Sequence, residues 1–188
     1  MERRAAVKNM LLALGAAVST STVLSILGSC TEDANTGWVS TFYDPSEFKV
    51  VDNLVDIFLP KTSIVGGKDL NLAQFVDMMS NTVLDEEKQA TVKLGSKVFI
   101  TRFEEKFDKK IANASKEDFE AFIALYMNIP KDKEEEVFSL LDTTDYKGLS
   151  KSKQQDYLLY TFLTTVRSYS FLGYYTSEIV EDKRMELS

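Results

Sequence analysis

Apolar residues recur three and four positions apart through most of this chain, and that period admits few folds other than a bundle of amphipathic helices. In "DPSEFKVVDNLVDIFLP", residues 44–60, Phe48, Val51, Leu54, Val55 and Phe58 trace one stripe. Asp44 is placed to cap this helix, and Pro45 takes its first position, where a missing N–H costs nothing. Glu47 sits three residues after the cap, able to reach back to the cap amide. Pro60 and the Gly66-Gly67 pair mark the following loop. Leu72, Phe75, Val76, Met79 and Val83 repeat the stripe within residues 69–84. Residues 85–112 read as one long helix, or two joined near Gly95, buried through Leu94, Val98, Phe99, Phe103 and Phe107. Ser115 and Asp118 form a box-like cap for a helix carrying Phe119, Phe122, Ile123 and Tyr126 and stopped by Pro130. A shorter helix spans 132–141, and the last runs over about 150–173 with Leu158, Phe162, Leu163, Val166 and Tyr169 inward. Strand-like alternation is scarce. The expected fold is all-α, a single-domain helical bundle of about five to six helices.

The segment before this pattern reads as an address. Arg3, Arg4 and Lys8 precede an uncharged run over residues 9–29, rich in Ala, Leu and Val and diluted by Ser, Thr and Gly. A basic start, an apolar middle and a small-residue border are the parts of a secretory signal. "RRAAVK" resembles the twin-arginine motif of the route that carries folded proteins, with the general secretory route as the alternative. "LGSC", residues 27–30, resembles a bacterial lipobox, so Cys30 is the expected lipid attachment point and cleavage falls before it. Acyl chains contribute roughly 0.8 kcal/mol per buried CH₂, so two or three of them anchor a soluble domain. An uncleaved membrane helix is the competing reading, since about 20 residues suffice to span. Glu32 and Asp33 resemble the acidic tag that sends some bacterial lipoproteins to the cell surface. The expected organisation is a leader over 1–29, a tether over 30–43 and a helical domain over 44–188. The expected place is the cell envelope of a Gram-negative bacterium, lipid-anchored at the periplasmic face, the outer membrane or the cell surface.

Chemistry-bearing residues are sparse. The chain has no histidine and one cysteine, so the commonest general base and the commonest transition-metal ligand are missing. A net charge of −7 without a basic patch argues against nucleic-acid binding, which depends on phosphate neutralisation. Glu104, Glu105 and Asp108 could suggest paired carboxylates, but Lys106, Lys109 and Lys110 stand among them, with Glu105 facing Lys109 one turn on. That is the pattern of a solvated helix face. "VGGKDL", residues 65–70, lacks the longer glycine cradle and the Lys-Ser/Thr pair of a phosphate loop. No catalytic, cofactor-binding or metal residue is expected.

Residues 157–180 are the densest in aromatic side chains. Tyr157, Tyr160, Phe162, Tyr169, Phe171, Tyr174 and Tyr175 do not fit one helical stripe, so about half are expected at a surface. Tyr offers wide contact area with a polar tip and is enriched at interfaces. Tyr174 and Tyr175 lie beyond Gly173, where the stripe ends, and are the expected exposed anchors.

Two segments carry a resemblance. "FLPKTSIVGGKDLNLAQFVDMM", residues 58–79, resembles the gluconate 2-dehydrogenase small-subunit family, whose segment reads roughly Pro-x-Thr-x-x-Pro-Gly-Ala before a helix with Phe-(Ile/Val)-Asp. Pro60, Thr62, Gly66, Phe75, Val76 and Asp77 match it. "FLGYYTSEIV", residues 171–180, resembles that family's Gly-Tyr-x-Thr-Ser-Glu ending. Val65 stands where the family has proline and Gly67 where it has alanine, which predicts a looser loop; the family's proline-glycine tail is replaced by "EDKRMELS". The resemblance implies a cofactor-free accessory subunit of an envelope sugar or alcohol dehydrogenase. In that family a flavoprotein of the glucose-methanol-choline type performs the oxidation, a cytochrome c often takes the electrons, and the small subunit supports assembly or co-export. Pro60, Thr62, Gly66 and Gly67 are expected to form the family loop, and Phe171, Tyr174, Tyr175, Thr176 and Glu178 are the expected partner interface. A free-standing envelope lipoprotein acting as a binding or scaffold module is the alternative, and an enzyme in its own right is the third.

Overall fold

The computed structural model describes residues 38–180. Arg3, Arg4, Lys8, Cys30, Glu32, Asp33 and the last eight residues lie outside the described residues, and so do the readings that rest on them. Among the described residues there are six α-helices: α1 (Pro45–Phe58), α2 (Leu72–Thr82), α3 (Glu86–Phe107), α4 (Lys116–Met127), α5 (Lys131–Leu141) and α6 (Lys151–Thr176). Short 3₁₀ turns at Ile111–Asn113 and Tyr146–Gly148 link α3 to α4 and α5 to α6. The chain forms a single all-α bundle.

The helix starts follow from local chemistry. The Asp44 carboxylate accepts from the Ser46 and Glu47 amides, and Glu47 accepts from the Asp44 amide, satisfying donors that no helical carbonyl reaches. Ser115 and Asp118 make the same reciprocal cap on α4, and Asp85 caps α3 through the Lys88 amide. α3 ends where Asp108 turns into the left-handed region at φ 49°, five residues short of the expected 112. Pro130 does not stop α4, which ends at Met127; it stands at the N-cap of α5.

The core is aromatic at its centre. Phe99 and Phe103 of α3, Phe119 and Phe122 of α4, and Phe162 of α6 are fully buried, with Phe99–Phe122 centroids 4.9 Å apart and Phe103–Phe119 5.1 Å apart. α3 and α6 share the most extensive helix contact. Gly95 permits it: a Cβ there would lie 2.2 Å from the Leu158 carbonyl oxygen and 2.7 Å from Phe162 Cβ. α3 therefore runs unbroken through Gly95, which serves close approach. The inward face of α3 is Thr91, Val92, Gly95, Ser96, Phe99 and Phe103, so the predicted stripe is displaced by about one position at its start. Leu94, expected inside, is 46% exposed, and Val98 and Phe107 are half-buried. Leu158 likewise lies on the flank of α6, and Leu159 takes the core position. In α1 the core is formed by Val50, Val51, Leu54 and Val55, with Phe48 and Phe58 half-buried at its edges, as Val83 is after α2. A stripe wider than one residue per turn leaves such flanks open to solvent.

Residues 40–43, expected in the tether, belong to the domain. Phe42 and Tyr43 are buried. A fully buried carboxylate, Asp77 of α2, holds the strap they form. Asp77 Oδ1 accepts from Ser40 Oγ and from the Phe42 and Tyr43 amides, both at 3.0 Å. Its Oδ2 accepts from the Thr41 amide at 2.8 Å and Thr41 Oγ1 at 3.0 Å. Burial opposes the charge on Asp77, but the Ser40 hydroxyl and the three amides outweigh it and hold its pKa below the usual carboxylate range. Beside it the Tyr43 hydroxyl shares a 3.1 Å hydrogen bond with Ser80, and burial pushes its pKa far up. A second buried acid, Glu47, accepts from Lys93 Nζ and Ser96 Oγ, each at 2.7 Å, so the capping residue of α1 also ties that helix to α3.

Candidate functional site

The segment after α1 folds into a loop closed by its own hydrogen bonds. The Gly67 amide donates to the Leu59 carbonyl at 2.8 Å, and the Leu72 amide donates to the Gly67 carbonyl at 3.0 Å. Asp69 accepts from the Gly66 amide at 2.8 Å and from Lys61 Nζ at 2.9 Å; the lysine first and the amide second lower its pKa. Thr62 is exposed and turns the loop, its Oγ1 accepting from the Ile64 amide at 3.3 Å, while Pro60 is exposed just after α1. Gly67 does not loosen this loop. A Cβ on it would lie 2.5 Å from Val55 Cγ1 and 3.1 Å from the Val55 carbonyl, so the glycine lets the loop lie flat on α1. Gly66 is as tight, with a Cβ falling 2.7 Å from the Lys61 amide nitrogen.

The end of α6 reaches the same place. A Cβ on Gly173 would meet Phe75 Cδ1 at 2.8 Å and Leu72 Cδ2 at 2.9 Å, which sets α6 directly on the first turns of α2. Two stretches separated by about a hundred residues thus converge: 58–79, and 171–180. Val180 and Tyr169 are both buried, and burial pushes the Tyr169 phenol up to about 12.

The expected anchors are only partly where the sequence placed them. α6 continues past Gly173 to Thr176, because Thr176 Oγ1 donates to the Leu172 carbonyl at 2.8 Å and the Ser177 amide to the Tyr174 carbonyl at 3.3 Å. Gly173 is therefore a buried contact inside the helix and not its end. Tyr174 and Phe171 are half-buried against the core, Thr176 is half-buried, and Glu178 is exposed. Tyr175 is 57% exposed, and it alone among the seven aromatic residues is; the others pack inward or lie at helix seams. Its ring stacks on Phe171 with centroids 6.1 Å apart, and the edge of Tyr174 meets it at 5.6 Å. Arg167, which carries no expectation from the sequence, lies over the Phe171 ring, its guanidinium carbon 5.2 Å from the ring centroid. Its signal was the fourfold spacing 167, 171, 175, one face of a helix.

Other polar groups are spent on the fold. Glu104 binds Lys110 at 2.8 Å and accepts from the Ile111 amide at 3.0 Å, fixing the turn after α3. Lys109 pairs with Asp118 at 2.8 Å and not with Glu105. An open groove of about 240 Å³ between α3 and α6 is lined by Leu94, Lys97, Val98, Arg102, Glu105 and Leu158 among others. Arg102 is committed there to Asp156 at 2.7 Å. Among the described residues no group of three or more acidic or cysteine side chains could hold a metal ion, and no helix is long and apolar enough to cross a membrane. What this arrangement offers is contact: a rigid aromatic edge at the joined ends of α2 and α6.

The profile of the protein family described as gluconate 2-dehydrogenase subunit 3 matches residues 45–187. No curated protein and no solved structure matches the chain.

Proposed function

The chain belongs to the gluconate 2-dehydrogenase subunit 3 family, and on that premise we propose that it is a non-catalytic accessory subunit of an envelope dehydrogenase complex. Its partner is a flavin-dependent sugar or alcohol dehydrogenase subunit of the glucose-methanol-choline type, with a cytochrome c as a third member. The small subunit supports assembly or co-export of the flavoprotein. The observation that carries this reading is the convergence of residues 58–79 and 171–180 at Gly173, beside the exposed Tyr175 ring. Exposed aromatic surface on a rigid helix is the chemistry of a protein interface. In this reading Cys30 carries the lipid, and Arg3, Arg4 and Lys8 direct a folded assembly through the twin-arginine route, so that one leader serves both subunits.

Affinity purification of the full chain from its own membranes, with flavin absorbance and mass spectrometry as readouts, tests the proposal. A flavoprotein dehydrogenase in stoichiometric amount is expected, and its substrate-dependent dye reduction should fall when the small subunit is deleted. Recovery of the small subunit alone, with dehydrogenase activity unchanged by the deletion, would refute it.

A further inference from the structure

We propose that Arg167, Phe171 and Tyr175 form one recognition ladder that receives a carboxylate, flanked by an apolar side chain, from the partner dehydrogenase subunit. This rests on the accessory-subunit reading and adds the chemistry of the contact. The three residues lie four apart on α6 and stack in sequence, guanidinium on ring at 5.2 Å and ring on ring at 6.1 Å with 25° between the planes. Tyr174, half-buried, holds Tyr175 from the side at 85°. Such a stack is ordered before any partner arrives, so little rotamer freedom remains to be lost on binding. A guanidinium lying on an aromatic face keeps its donors at the edge, free to take a carboxylate bidentately.

Charge decides what the ladder takes. Arg102 is neutralised by Asp156. Arg167 has no ion pair among the described residues, and its guanidinium lies over the Phe171 ring. The residues one turn away, Leu163, Thr164, Ser170 and Phe171, carry no charge. In a chain of net charge −7 this is a positive point, unpaired among the described residues, beside the exposed Tyr175 ring. Its complement is an acidic side chain next to an apolar one. Arginine and tyrosine together are the residue types that most often dominate binding when truncated. An anionic group on a second copy of this chain is the competing occupant, and the test separates the two.

The test uses the full-length chain and the purified flavoprotein subunit, with binding followed by biolayer interferometry in low and high salt. Arg167→Glu should weaken binding about 100-fold, and Tyr175→Ala about 30-fold. Arg167→Lys, which keeps the charge but loses the fork and the stack, should weaken it about tenfold. Salt should weaken the wild type more than Arg167→Glu. An acid-to-arginine reversal on the partner, at the residue cross-linked from position 167, should restore Arg167→Glu. Unaltered melting of each variant shows that the fold is intact. If the wild type binds the flavoprotein and Arg167→Glu binds equally well, the ladder is refuted and the accessory reading stands. If the wild type does not bind at all, both fall. Sedimentation that shows Arg167→Glu dissolving a self-associated form, without effect on the flavoprotein, also overturns the proposal.

Discussion

Replacing Asp77 by Asn tests the strap that joins residues 40–43 to the bundle. The side-chain shape is kept, but one carboxylate oxygen becomes an NH₂ group facing donors. If the NH₂ takes the Oδ2 position, the bonds from the Thr41 amide and hydroxyl are lost. The three bonds at Oδ1, from Ser40, Phe42 and Tyr43, change from charge-assisted to neutral. Hydrogen bonds to a charged group contribute about 1.5–3 kcal/mol and neutral ones about 0.5–1.5, so two bonds lost and three weakened amount to a gross loss of roughly 8 kcal/mol. Removing a buried charge returns part of this, because its desolvation no longer opposes folding. A net loss of about 3 kcal/mol is expected, a large share of the roughly 5–15 kcal/mol that stabilises a domain. Melting should fall by about 6–12 °C, at about 2–4 °C per kcal/mol for this size. The pH dependence separates a charge effect from a packing defect. The folded-state pKa of Asp77 lies below its ordinary 3.8. Its contribution is therefore complete above that value and is lost as pH falls through the folded pKa. Urea unfolding, followed by the fluorescence of Trp38, the single tryptophan, should show the full gap between wild type and Asp77→Asn near neutral pH. The gap should narrow steadily below about pH 4, since the other acids titrate in both proteins. A gap under about 1 kcal/mol at neutral pH, or one that does not change with acid, would refute the account.

Gly95→Ala sets two effects against each other: helix propensity favours alanine by about 1 kcal/mol, while the new Cβ collides with the Leu158 carbonyl and forces α3 from α6. The collision should win, with a net destabilisation of about 1–3 kcal/mol by chemical denaturation, and a stabilised variant would mean that the helices do not meet there. Glu47→Gln removes the charge paired with Lys93, whose side chain is 33% exposed and can turn to water, so about 2 kcal/mol should be lost and little of it recovered by Lys93→Met. Cys30→Ala should move the protein from the membrane to the soluble fraction on cell fractionation, and an unchanged distribution would end the lipid-anchor proposal.

Much of this fold is written in local sequence. Asp44, Pro45 and Glu47 announce α1, Ser115 and Asp118 announce α4, and the spacing of Phe99 and Phe103 names the core side of α3, because capping and amphipathic period act within one or two turns. The position of a flank does not. Leu94 and Leu158 are apolar and fall near the stripe, yet both line an open groove, since their burial depends on where a second helix crosses. The same limit holds for the candidate interface. Aromatic density at residues 157–180 is plain in the sequence, but that Gly173 lies inside the helix and not at its end follows only from its contact with Leu72 and Phe75. Asp77 read only as a motif residue, and Glu47 only as a cap, because their partners lie more than thirty residues away. What the sequence determined alone was the helical period, the caps and the scarcity of chemistry-bearing side chains. What the tertiary structure decided was which acids are buried, which glycines let helices touch and which tyrosine is left in water, because each of these is a property of two surfaces brought together.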